Sequence, residues 1–111
     1  MKRLCVLLML AALPALFLLA ALPAWASEPD AARKLQLDSL LNQDCGSCHG
    51  MTLKGGLGSP LTLDAMRAQD DDTLLYTILE GRPGTPMPPW KMMLSEADAR
   101  WLVRRLKGEK P

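Results

Sequence analysis

Five consecutive residues, Cys45-Gly46-Ser47-Cys48-His49, limit what this chain can fold into more tightly than any other stretch. A disulfide between cysteines so close in sequence closes too small a loop to staple a domain. A thioredoxin-like Cys-x-x-Cys calls for a βαβ setting, and no segment shows the strict alternation of a strand. Structural zinc takes four Cys or His ligands. Beyond residue 26 the chain offers two cysteines and one histidine. Two thiols a helical turn apart, with an imidazole next to them, point to a group that engages all three at once.

The N-terminus reads as an export signal. Met1-Lys2-Arg3 is basic, residues 4–22 are uncharged and apolar around Pro14, and Ala24-Trp25-Ala26 is a small-x-small cleavage site. A run of that length is also what an uncleaved anchor would need. Pro14, the many alanines and the Ala-x-Ala end favour cleavage after Ala26. Cys5 then leaves with the signal. Removing 26 of the 111 residues leaves 85, a single domain over residues 27–111, with 11 basic and 12 acidic side chains. That balance excludes the strongly basic surface nucleic acid requires. Regular apolar periodicity excludes disorder. The expectation is a periplasmic monomer, free of the membrane after cleavage. So short a domain buries a modest core and leans on a cofactor or cross-link.

The pattern along residues 30–107 is helical. Asp30 is placed to cap a helix over residues 30–44, with Leu37, Leu40, Leu41 and Cys48 on one face. Glycines 55, 56 and 58 with Pro60 mark a loop. A short helix is expected over residues 61–68. A better one starts at Asp70-Asp71-Asp72, carries the stripe Leu74, Leu75, Ile78 and Leu79, and ends at Gly81. Residues 82–90 hold four prolines and can be neither helix nor central strand. Ser95-Glu96-Ala97-Asp98 opens a last helix to Lys107. Asp98 and Arg105 sit awkwardly between its inward-facing Trp101 and Leu102. The fold class is all-α, three or four short helices joined by stiff loops.

The pentapeptide itself is the attachment pattern of a c-type haem. Cys45 and Cys48 would form thioethers to the two vinyl groups on one haem edge, and His49 would present its imidazole to the iron. Tethering keeps the ligand at high effective concentration. Residues 27–111 hold no second histidine, so the sixth ligand is sought among methionine thioethers. Met51 lies too near His49 to reach the opposite face, and Met66 suits a core position. Met87 stands between Pro86 and the pair Pro88-Pro89, where little conformational freedom remains to be lost. Met92 is the alternative, with Met93 beside it. The His49 ring N–H should donate to a carbonyl, for which Pro60 is the candidate. Arg82 and Trp90 flank the methionine loop and are candidates for haem propionates. The basic residues Arg100, Arg104, Arg105, Lys107 and Lys110 suit either a docking patch or a helix C-terminus.

With these residues in view, the chain resembles a small class I cytochrome c. Residues 37–50, the Gly58-Ser59-Pro60-Leu61 segment and the Met87 loop before a Trp-Leu helix carry the likeness. Residues 78–90, Ile-Leu-Glu-Gly-Arg-Pro-Gly-Thr-Pro-Met-Pro-Pro-Trp, look like the periplasmic cytochromes encoded with the cytochrome cd-type nitrite reductase of denitrifying bacteria. The resemblance implies a class I cytochrome c fold around one covalent haem c, with thioethers at Cys45 and Cys48 and axial ligands His49 and Met87. It also implies that Pro60 supplies the carbonyl for the histidine, and that Trp101 and Leu102 cross the first helix. Asp98 departs from it, standing where an apolar residue is usual.

The function so implied is electron carriage rather than enzyme catalysis, with nitrite reductase as the redox partner. A second role, in maturation of that reductase's haem d, needs the same haem and docking surface. A haem-based gas sensor is the third reading, and the braced methionine opposes it. No second histidine is at hand for acid–base work.

Overall fold

In the computed structural model, which describes residues 27–110, Asp30 starts the first helix by accepting a hydrogen bond from the Arg33 amide at 2.7 Å. The expected signal segment, residues 1–26, lies outside the described residues. Helix α1 spans Ala31–Leu40. It runs on through one wide π turn, Leu41–Cys45, into α2, Gly46–His49. Helix α3 is Leu63–Arg67, α4 is Asp71–Glu80 and α5 is Glu96–Leu106. No strand occurs among the described residues. The Asp70, Ser95 and Asp30 caps stand where the sequence places them, each accepting from the amide three residues on.

The π turn is not legible in the sequence, and it explains a residue that the helical pattern leaves awkward. At a regular pitch Asp44 falls on the apolar face of Leu37 and Leu41. One additional residue in the turn rotates the downstream helix by about 100°. Leu37 and Leu41 stay buried, Asp44 is exposed, Cys45 becomes half-buried and Gly46 buried. The turn thus delivers Cys45 to the inner wall.

Helix α5 closes the core. Trp101, Leu102, Val103 and Leu106 join Leu37, Leu41, Met66, Leu74 and Leu94 in one buried cluster, with Ile78, Leu79 and Trp90 against it. Leu37 and Leu102 are fully enclosed, each contributing roughly 1.5–3 kcal/mol by transfer from water.

The polar residues that sat awkwardly on α5 frame its crossing with α1. Asp98, only 7% exposed, accepts from the Arg33 guanidinium at 2.9 Å and also completes the Ser95 capping box. At the other end Arg105 reaches Asp38 at 3.0 Å. Two ion pairs of opposite polarity therefore hold the register of the crossing, and Asp98 belongs there because Arg33 faces it. Arg33 and the Ser95 amide hold the Asp98 carboxyl below the usual carboxylate range, against the opposing effect of burial.

Candidate functional site

Between the N-terminal helix, the glycine loop, α4 and the proline loop lies a cavity of about 400 Å³, mostly apolar. Cys45, Cys48, His49 and Met87 all line it. Its size falls in the range of cofactor pockets.

His49 is placed by its surroundings. Its Nδ1 lies 2.6 Å from the Ser59 carbonyl oxygen. A carbonyl can only accept, so Nδ1 is the donor, and in the neutral ring Nε2 is then the nitrogen with the lone pair. That is the tautomer a metal-ligating imidazole needs. The acceptor is Ser59, not Pro60 as the sequence suggested. Pro60 does not line the cavity; it follows the accepting carbonyl, and a proline there disfavours the helical region for Ser59. Gly58 makes the fit possible. A Cβ there would come within 2.7 Å of His49 Nδ1 and 2.8 Å of Cε1. Any side chain at 58 would collide with the imidazole. The sequence reading misses Ser59 and Gly58, although a glycine two residues before the proline was the available signal.

The Met87 loop is anchored at its base by the end of α4. The amides of Trp90 and Lys91 donate to the carbonyls of Ile78 and Leu79 at 3.1 and 3.2 Å, meeting acceptors that a helix C-terminus leaves open. Gly81, at φ 68, lets the loop return so closely that a Cβ would lie 2.7 Å from the Met87 carbonyl oxygen. Arg82 N–H donates to that same oxygen at 3.2 Å. Thr85 Oγ1 donates to the Arg82 carbonyl at 2.7 Å. Met87 is half-buried in the wall, while Met92 and Met93 are 88% and 63% exposed and stand outside the cavity. Met92 and Met93 are therefore on the surface, while Met66, which also lines the cavity, is buried in the core at 3% exposure.

Burial pushes the Cys45 thiol up to about 11, and the Asp44 carboxylate adds to the shift. A thiol held protonated at neutral pH is unlike the activated thiolate of a redox Cys-x-x-Cys. Among the described residues no group of three Cys, His, Asp or Glu could hold a metal ion, which leaves the zinc reading without ligands. The basic run of α5 is engaged by the chain's own acids. Arg100 pairs with Glu96 and Asp72, Arg104 with Glu28, Arg105 with Asp38 and Lys107 with Asp71.

The residues fit a covalent haem: two cysteines, a histidine of the right tautomer and a methionine share one apolar cavity. Comparison with known proteins agrees. Residues 32–104 match the family described as cytochrome C oxidase, cbb3-type, subunit III. Cytochrome c55X of Pseudomonas aeruginosa is 59% identical over 86 residues, which is 77% of this chain and 72% of that protein. The chain belongs to the c-type cytochromes. A second cytochrome c55X, from Paracoccus denitrificans, is 50% identical to this cytochrome over 94 residues, 85% of this chain and 91% of the other. Among solved structures, a c-type cytochrome NirC superposes with a TM-score of 0.71 at 57% identity, covering 72% of this cytochrome and 94% of that chain. The fold is the all-α class I cytochrome c fold, the cofactor is haem c, and this cytochrome is an electron carrier rather than an enzyme. Among the described residues, no helix is long and apolar enough to cross a membrane.

Proposed function

We propose that Cys45 and Cys48 carry the thioethers of one haem, that His49 and Met87 are its axial ligands, and that the cytochrome works in the periplasm after cleavage behind Ala26, donating electrons to a cytochrome cd-type nitrite reductase. The observation that carries the reading is His49, whose Nδ1–H is fixed on the Ser59 carbonyl so that Nε2 is free inside the cavity that Met87 also lines. When bound, the haem supplies a one-electron couple between ferrous and ferric iron.

The chain's own residues do the rest. His49 is held in one orientation by Ser59 and Gly58. Gly81 and the amides of Arg82, Trp90 and Lys91 hold the Met87 loop against α4, so little conformational entropy opposes thioether binding. With His49 and Met87 both holding the haem, no open position would remain on it for substrate. Apolar walls and a Met87 thioether ligand would favour the ferrous form and raise the potential. The likeness of residues 78–90 to cytochromes encoded with nitrite reductase supports the partner.

Met87→Ala should abolish the near-infrared sulfur-to-iron band of the ferric protein, and Met92→Ala should keep it. A band that persists in Met87→Ala rules out the ligand assignment. Stopped-flow mixing with oxidised cd-type nitrite reductase should show electron transfer. Negligible transfer, with a deletion strain accumulating a haem d precursor, would move the role to cofactor assembly. N-terminal sequencing of periplasmic material should begin at Ser27.

A further inference from the structure

Twenty-five residues line the cavity, and apart from His49 only two of them are acidic or basic: Asp44 and Arg82. Neither is in an ion pair among the described residues, whereas Arg33, Lys34, Lys91, Arg100, Arg104, Arg105 and Lys107 all are. Asp44 uses its backbone carbonyl to accept from Ser47 Oγ, and its carboxylate makes no hydrogen bond there. The charge of Asp44 is felt at Cys45, whose thiol it helps to push up. Arg82 stands on the methionine side, its backbone tied to Met87 and its guanidinium uncommitted. The indole of Trp90 is another donor-bearing group in the wall.

Haem chemistry assigns these two charges different places. Its vinyl edge is the one cysteines capture, and its two propionate carboxylates project from the other edge. Asp44 precedes Cys45 and would neighbour the vinyl edge, where its charge would repel no propionate. Arg82, with Trp90, offers donors suited to a carboxylate. Ferric haem carries one more positive charge than ferrous haem. An anion in the wall therefore favours the ferric form, and a cation favours the ferrous form.

We infer that Asp44 and Arg82 are opposed charges that set the reduction potential of the haem, with Arg82 also binding a propionate carboxylate. The inference rests on the proposed haem attachment. Arg82→Gln should lower the potential and Asp44→Asn should raise it. Each should change the reduction equilibrium constant about three- to tenfold at low salt, roughly 30–60 mV for one electron. The double variant should return close to the wild type. Exposed charges are screened, so both shifts should shrink in high salt.

The test is redox potentiometry on the purified holoproteins at low and high ionic strength, with Arg82→Lys and Lys110→Gln alongside. Arg82→Lys should keep most of the wild-type potential, and Lys110→Gln should move it no more than a remote surface charge does. Unchanged potentials in both single variants, or shifts of the same sign, overturn the inference. Shifts equalled by Lys110→Gln overturn it too, since they would reflect net charge alone. The mass of each holoprotein keeps the two proposals apart. A chain that never acquires haem defeats the attachment reading. One that carries haem with an unmoved potential defeats only this one.

Discussion

Gly58→Ala is the sharpest perturbation of the histidine cradle. The new Cβ would sit 2.7 Å from His49 Nδ1, where ordinary contact begins at 3.4 Å. The ring must therefore retreat by about 0.7 Å, the difference of those two distances. A retreat of that size takes the 2.6 Å bond to Ser59 to the edge of hydrogen-bonding range. Overpacking costs about 1–3 kcal/mol and a weakened hydrogen bond about 0.5–1.5 kcal/mol, so roughly 2–4 kcal/mol is expected. For a domain of this size that lowers Tm by at least roughly 8 °C. Function should move as well. Donation from Nδ1–H makes the imidazole a more basic ligand and favours ferric iron, so losing it raises the potential. Thermal melting at the Soret band, with redox titration of the same sample, measures both. A variant within about 2 °C of the wild-type Tm, with an unaltered potential, would refute the cradle. Ser59→Ala is the matched control, and it should leave both quantities alone because the acceptor is a main-chain oxygen.

Two further outcomes test the frame. Asp98→Asn should cost about 1–2 kcal/mol at pH 7, the worth of charge-assisted hydrogen bonds to the partly exposed Arg33. Because the native carboxyl is held low, chiefly by Arg33, this stability is fully present above the unfolded value of about 3.9 and is lost as pH falls through the native one. Denaturant melts should show the gap between wild type and variant closing below about pH 4; a gap of constant size sinks the argument. Gly81→Ala places a side chain at φ 68 and against the Met87 carbonyl. The sulfur-to-iron band should weaken and carbon monoxide should bind the ferrous protein faster, whereas an intact band would show that the loop does not depend on Gly81.

Helix positions are readable because caps and apolar spacing are local. Asp30, Asp70 and Ser95 each cap within three residues, and the four prolines of residues 82–90 deny a helix whatever lies around them. The two charges on α5 resist such reading for the opposite reason. Asp98 and Arg105 look misplaced on one helix and become intelligible only beside Arg33 and Asp38, more than sixty residues away. Pro60 suggests itself as the acceptor because its ring marks the place, but which of two neighbouring carbonyls turns inward is a matter of backbone angle, and that belongs to Ser59.

What the amino-acid order determined alone was chemistry held in contiguous residues: two thiols at the spacing of one helical turn, an imidazole beside them, and a methionine set among prolines. Tertiary structure decided which of those groups meet. The π turn at Leu41–Cys45 half-buried Cys45 and left Asp44 exposed beside it in the cavity wall, and close approaches at Gly58 and Gly81 brought His49 and Met87 to one cavity. Such approaches depend on distances between segments remote in sequence, and no local pattern of residues encodes a distance.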